Sequence, residues 1–331
     1  MAVYTQLGAE VLAALIAEFD VGELVMAKGI AEGVSNSNWL LDTTGKDGAI
    51  GSGASRFILT MYEYRIELDD LPFFLSLLDH LAANGCPVPR TIHDRDGALY
   101  RMIGSKAVAL IEFLPGVSLS EPTPGQARAV GRALAQLHLA AADFGQTRAN
   151  GMGLQEWQRL AGACGREGLN GIDAGLAALV AAELAHLAAQ WPQDLPRGVI
   201  HADLFPDNVL MLGEKVTGLI DFYFACNDLI AYDVAVTHAA WCFDNAGQTF
   251  DPAISAALLE GYELLRPLSD AERAALPVLA RGAALRFALS RAFDWINTPA
   301  DALVMKKDPL AFVRRLQFYA DPANAGLFAR P

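Results

Sequence analysis

"VIHADLFPDNVLM" at residues 199–211, followed by "LIDF" at 219–222, decides how the rest of the chain is read. His201, Asp203, Asp207 and Asn208 share one short polar loop between two apolar runs, and Asp221 closes a third. Carboxylates and amides drawn toward a protein interior are costly unless something pairs with them. The cluster therefore needs a cation, a proton to move, or both.

Upstream of this loop the chain begins strand-rich. "ELVMAKGIAEGVSNSNWLLDT" (23–43) reads as two extended runs, and "RFILTMYEY" (56–64) has the β-branched and aromatic content of a third. The Gly/Ser-rich stretch 44–55 between them reads as a hairpin connection. A helix follows in "DDLPFFLSLLDHLAANG", with Asp70 as N-cap, Pro72 in the first turn and Gly85 as terminator. Its Leu71, Phe74, Leu75, Leu78 and Leu81 fall on one face. "TIHD", "ALYRMI" and "AVALIEFLPG" supply further strands. After Pro115 and Gly116 the pattern turns helical. Residues 123–144 open with Thr123 as cap and Pro124 in the first turn, and bury Ala127, Val130, Leu134, Leu137 and Ala141. A second long helix is expected over 173–191 on Leu176, Val180, Leu184, Leu187 and Trp191. The plan is a small strand lobe with one helix, residues 1–113, and a larger helical lobe, 114–331.

The 331 residues suffice for two lobes with real cores, and 53% hydrophobic content argues against disorder. A net charge of −13 disfavours nucleic acid or an anionic membrane as partner. No uncharged apolar run approaches the length of a membrane span, and the N-terminus lacks a signal-peptide pattern, so a cytoplasmic location is expected. Cys86, Cys164, Cys226 and Cys242 are scattered and read as buried free thiols. "TTGKDG" (43–48) lacks the upstream glycine and the final Ser/Thr of a phosphate-binding Walker loop, and reads as a hairpin tip.

His201, Asp203 and Asn208 have the H-x-D-x-x-x-x-N spacing of a kinase catalytic loop. Phosphoryl transfer explains that spacing, because the moving group carries spread negative charge and catalysis is mainly positioning and screening. Asp203 faces the attacking hydroxyl. Asn208 and Asp221 offer oxygen ligands to Mg²⁺, which a hairpin sets side by side. His201 reads as a scaffold for the loop backbone. His138 reads as a satisfied core histidine, and Asp233 as a helix cap supporting the site.

The loop, the "LIDF" element and the two-lobe order resemble the aminoglycoside-phosphotransferase-like branch of the protein-kinase-like fold, and within it the homoserine kinase family. The likeness also runs through "GIAEGVSNSNWLLDT", "RFILTMYE", "LPFFLSLLDHLAANGCPVPRTI", "LIEFLPG" and "RFALSRAFDW…KKDPLAFVRRL". It implies an α+β architecture, with a small antiparallel-sheet lobe and a large helical one. ATP and Mg²⁺ are the implied cofactors and L-homoserine the acceptor, in a monomer or small homo-oligomer. Asp203 would be the family's catalytic aspartate, and Asn208 and Asp221 its metal ligands. "EGVSNSN" would be the loop over the ATP phosphates, through Gly33, Val34, Ser35, Asn36, Ser37 and Asn38. Glu112, Phe113 and Leu114 would form the hinge at adenine. Homoserine carries an ammonium and a carboxylate, so Arg286, Arg291 and Tyr232 are its candidate contacts. Ordinary surface ion pairs are the alternative for the two arginines.

Two features point to a small acceptor without that likeness. Ala202 stands where protein kinases carry the arginine that reads a phosphorylated segment. Beyond Asp221 the chain also soon turns helical, leaving no platform for a polypeptide. One departure stands out: Thr60 occupies the place of the usual strand lysine, and the helix of residues 70–83 has no Glu to pair with one. Phosphate contact would fall to metal, to backbone N–H groups and to Lys28, although a strand lysine usually faces water. Kinases of the same fold acting on choline, ethanolamine, methylthioribose or an aminoglycoside remain open. So do a nucleotide-binding pseudokinase and, behind it, a metal-dependent hydrolase.

Overall fold

The computed structural model describes residues 7–30, 36–45, 56–63, 67–298 and 306–329. The chain divides into two compact units, Met1–Pro115 and Gly116–Pro331. The first contains α1 (Ala9–Ile16), β1 (Leu24–Ile30), β2 (Asn36–Thr43), β3 (Arg56–Tyr62), α2 (Leu71–Ala83), β4 (Thr91–Ile92), β5 (Arg101–Ile103) and β6 (Lys106–Glu112). Its sheet runs β1-β2-β3-β6-β4, with β5 also on β6, and every pairing is antiparallel. Strand alternation sends Trp39, Leu41, Leu59, Met61, Val108 and Leu110 to one face, where Leu12, Leu15, Ile16 and Phe19 cover them. In α2 the expected face is buried in full, together with Phe73 and Leu77. Asp70 holds the N-cap position but makes no capping bond, because a 3₁₀ turn over Leu68–Asp70 already leads the chain in.

The second unit contains α3 (Pro124–Ala140), α4 (Leu154–Ile172), α5 (Leu176–Gln190), β7 (Arg197–Ile200), β8 (Val209–Leu212), β9 (Lys215–Leu219), β10 (Cys226–Leu229), α6 (Ile230–Trp241), α7 (Pro252–Glu263), α8 (Asp270–Asn297) and α9 (Leu310–Ala320). α3 starts with a capping box, Thr123 accepting from the Gln126 N–H while the Gln126 side chain returns to the Thr123 N–H. α4 is a helix the sequence reading passes over. Its apolar residues Trp157, Leu160 and Cys164 stop repeating at Gly165, whose φ of 65° kinks the helix.

α3 and α7 touch backbone to backbone at two glycines. A Cβ on Gly131 would lie 2.0 Å from the Leu258 carbonyl oxygen, and one on Gly261 would lie 2.0 Å from that of Arg128. Neither neighbour is a side chain that can swing aside. Gly131→Ala should therefore force the two helices apart, with a loss of about 1–3 kcal/mol or more. Thermal melts of Gly131→Ala beside Gly145→Ala, where nothing lies within 4 Å of the added carbon, will show the difference.

Candidate active site

Both ends of the polar loop are tied down. β7 pairs with β10, Ile200 opposite Cys226, and β8 pairs with β9, Val209 opposite Leu219. Asp233, in the first turn of α6, is fully buried. Its Oδ2 accepts the His201 backbone N–H and its Oδ1 that of Ala202, both at 2.7 Å. The same Oδ2 lies 3.0 Å from His138 Nε2, and His138 Nδ1 lies 2.8 Å from the Tyr262 hydroxyl. Burial pushes the Asp233 pKa up, but the His138 hydrogen bond and charge, with help from His201, hold the carboxyl below its usual range. Asp233 is thus no helix cap in the ordinary sense; it anchors the loop, and His138 is a satisfied core histidine.

Between these anchors Ala202 adopts φ 64°, in the left-handed region that non-glycine residues enter at a cost of roughly 1–2 kcal/mol. Its N–H is held by Asp233 and its carbonyl accepts from Arg286 Nη1. His201 is fully buried. Its Nδ1 accepts the Asp203 N–H at 3.2 Å, which leaves Nε2 to donate to the Ile220 carbonyl at 3.0 Å. Burial lowers the pKa of this ring, so it stays neutral with both nitrogens in use. The geometry is that of a scaffold.

The loop turns so that Asn208 Nδ2 donates to the Asp203 carbonyl at 2.7 Å and to its carboxylate at 3.2 Å. The Asn208 carbonyl accepts the Ile220 N–H at 3.0 Å. Asp221 follows at once with φ 66° and ψ 59°, a conformation aspartate tolerates better than most residues. Burial pushes the Asp203 pKa up to about 7; Arg286 opposes the rise, while Asp221 and Asp207 add to it. Asp221 is pushed up to about 6, first by burial and then by Asp207. Asp221 is nonetheless solvent-accessible and Asp203 partly so, so a ligand can still reach both carboxylates. An amide oxygen left free by the Nδ2 bonds and a reachable, charge-crowded carboxylate form a donor set that fits a hard cation such as Mg²⁺.

The expected acceptor residues do not gather at one place. Arg286 is 1% exposed and committed to the Ala202 carbonyl, with its guanidinium 4.6 Å from the Phe287 ring centroid and 5.3 Å from that of Phe224. Tyr232 is fully buried against Trp157 and Trp191. Neither side chain is open to a ligand, which corrects the expectation of direct acceptor contact; Arg286 is instead a buried cation that opposes the rise of the Asp203 pKa. Arg291 is half-buried over Phe312, 4.5 Å from its centroid, and Asp203 and Asp207 act on its charge.

In the first unit, Gly33, Val34 and Ser35 lie outside the described residues. Asn36, Ser37 and Asn38 belong to strand β2, not to the phosphate loop that the likeness implied, because they pair with Tyr62, Met61 and Thr60 of β3. Thr60 Oγ1 donates to Asn38 Oδ1 at 2.9 Å, a neutral pair where kinases place an ion pair. On the same face Asn36 is buried and its Oδ1 has no partner. A Lys–Glu pair does exist, Lys106 with Glu63, and Ser37 Oγ donates to the same carboxylate at 2.6 Å. Strand alternation puts Ser37 and Glu63 on the sheet face opposite Thr60. Lys28 is exposed. β6 ends at Glu112, whose carboxylate takes Arg90, so the peptide groups of Phe113 and Leu114 stand outside the ladder.

The Phosphotransferase enzyme family profile matches residues 27–268, and the chain belongs to that family. Within it the likeness narrows to proteins named homoserine kinase. The one from Xanthobacter autotrophicus is 50% identical over 319 residues, covering 96% of each chain. That of Nitrobacter winogradskyi is 51% identical over 321 residues, covering 96% of this chain and 94% of its own, and that of Allorhizobium ampelinum is 49% identical over the full length of both. Among solved structures, amicoumacin kinase hAmiN in complex with AMP-PNP, Ca²⁺ and Ami superposes with a TM-score of 0.70 at 14% identity, covering 95% of this chain and 94% of that one. Choline kinase from Cryptosporidium parvum gives 0.67 at 13% identity with the same coverage. These two share the fold.

Proposed function

We propose that the chain transfers the γ-phosphoryl group of ATP to the side-chain hydroxyl of L-homoserine, giving O-phospho-L-homoserine and ADP for threonine synthesis. The observation that carries the reading is the Asp203–Asn208 contact, tied through Ile220 to Asp221, in a chain about half identical to homoserine kinases end to end. Asp203 accepts the hydroxyl proton as the oxygen bonds to the γ-phosphorus and the bond to the β–γ bridging oxygen breaks. A pKa near 7 suits a general base working near neutrality. His201 and Asp233 keep the loop in register for that transfer. Asn208 Oδ1 and Asp221 would hold Mg²⁺, which screens phosphate charge when bound. Asn36, Asn38 and Thr60 would face the phosphates, and the peptide groups of Phe113 and Leu114 would meet adenine.

Incubation with MgATP and a panel of small alcohols, including choline, ethanolamine, methylthioribose and an aminoglycoside, tests this by mass spectrometry of the products. The expected product is phosphohomoserine, formed at least about 100-fold faster than any other, a margin of roughly 3 kcal/mol in transition-state binding. Equal turnover of a cationic alcohol would defeat the assignment.

A further inference from the structure

We infer that Arg315 and Arg291, set against the single ring of Phe312, form a two-arginine clamp for a carboxylate on the acceptor; the inference rests on the acceptor reading above and deepens it. The Arg315 guanidinium carbon stands 4.2 Å from the Phe312 centroid and that of Arg291 stands 4.5 Å away. Arg315 is 3% exposed. Its Nη2 donates to the Asp244 carbonyl at 2.8 Å, while its Nε has no partner. Arg291 reaches only the Asp308 carbonyl, at 3.3 Å. Among the described residues, then, both cations bond to backbone carbonyls and neither to a carboxylate.

Arg286 and Arg148 also donate to backbone carbonyls, but three other arginines of this unit are held by carboxylates. Arg281 holds Glu183 through Nε and Nη2, Arg266 holds Glu272, and Arg273 holds Glu263. Asp207, Asp308 and Asp203 act on the charge of Arg291 and Asp244 on that of Arg315, but none of these carboxylates is hydrogen-bonded to either guanidinium. Two cations drawn out of water side by side with unused donors are better satisfied when an anion arrives. Burial lowers both pKa values, and Arg291 further lowers that of Arg315, to about 10. The aromatic ring between them supplies a rigid seat for two planar cations. Asp203 acts on the charge of Arg291, so the clamp stands within the field of the catalytic carboxylate. A short acceptor with a hydroxyl at one end and a carboxylate at the other would have a partner for each end. Choline or a polycation would meet two positive charges with no group of its own to pair with them.

The test compares kcat/KM for L-homoserine and for 3-aminopropan-1-ol, which is homoserine without its carboxylate. Wild type, Arg291→Met, Arg315→Met and Arg315→Lys are measured with saturating MgATP. Each Met variant should raise the homoserine KM about 100-fold, the usual consequence of losing a buried charge-assisted contact. The KM for ATP should change little, and the preference for homoserine over 3-aminopropan-1-ol should collapse by the same factor, with Arg315→Lys intermediate. An unchanged homoserine KM in both Met variants, or a parallel loss on both acceptors, overturns the clamp. Binding gives a readout that needs no turnover: L-2-aminobutyrate, homoserine without its hydroxyl, should raise the melting temperature of wild type but not of Arg291→Met. Equal protection of both overturns it too. Should Arg315→Met fail to fold, Arg291→Met and Arg315→Lys still decide. If wild type ignores homoserine but phosphorylates another hydroxy acid, and the Met variants lose that activity, the clamp stands and the homoserine reading falls. If homoserine is turned over and the variants match wild type, the clamp alone falls.

Discussion

Asp203→Asn should lower kcat by at least about 1,000-fold while making the ligand-free protein harder to melt at pH 7.5. The first effect follows because Asn cannot accept the hydroxyl proton, although its carbonyl oxygen still accepts from Asn208 Nδ2. The second follows from linkage. Burial, Asp221 and Asp207 raise the Asp203 pKa to about 7 against the pull of Arg286, from about 3.9 in an unfolded chain. Between those values the folded state binds more protons than the unfolded one, so stability falls as pH rises through the window. At pH 7.5 the full penalty is present, and the amide removes it. The gain in melting temperature should therefore shrink on acidification and vanish below about pH 4. Melts from pH 3.5 to 8 without metal, beside steady-state rates, check both halves. A variant no more stable than wild type at pH 7.5, or one that keeps a tenth of the rate, removes Asp203 from the role of strained base.

What the sequence disclosed and what it hid divide along physical lines. Local signals were legible: the α2 face, the Thr123 cap, and the spacing that joins Asp203 to Asn208. Each depends on residues within a few positions of one another. Tertiary pairing was not. Asn36–Asn38 carry turn-like side chains, yet β3 provides a strand to pair with, and pairing overrides composition. The four-residue strand β10 shows no period of its own and exists because β7 is beside it. Arg286 looked like an acceptor contact because nothing in "RFALSRAFDW" says that a loop backbone lies against it. Arg315 was overlooked as one of two adjacent arginines, yet a signal was present. It shares the buried stripe of α9 with Phe312, Leu316 and Tyr319, whereas Arg314 turns outward to Asp308.

Asp233→Ala should be the most damaging single change in the second unit. The carboxylate satisfies two buried N–H groups and one imidazole, and its removal strands all three in a dry interior. Losses of about 3–5 kcal/mol attend such a break, a large share of the 5–15 kcal/mol that holds a typical domain. Insoluble or unfolded protein is the expected outcome. Asp233→Asn separates anchoring from bulk stability: it preserves shape but offers one acceptor oxygen, so its amide N–H must oppose the N–H of His201 or Ala202. That variant should fold, lose about 100-fold in kcat as the loop shifts, and keep its KM for ATP. Its pH signature runs opposite to that of Asp203. Despite burial, hydrogen bonding to His138 and the charge of that ring hold the Asp233 pKa below the carboxylate range in the folded state. Its contribution is therefore present above the unfolded value near 4 and is lost as pH falls through the lowered one. Wild type should outlast Asp233→Asn at pH 7.5 by a margin that narrows in acid, while Asp203→Asn outlasts wild type at pH 7.5 by a margin that also narrows in acid. Two aspartates on one loop system, one strained and one anchoring, must show stability differences of opposite sign at neutral pH. If both variants move the melting temperature the same way there, the division of labour between base and anchor is wrong.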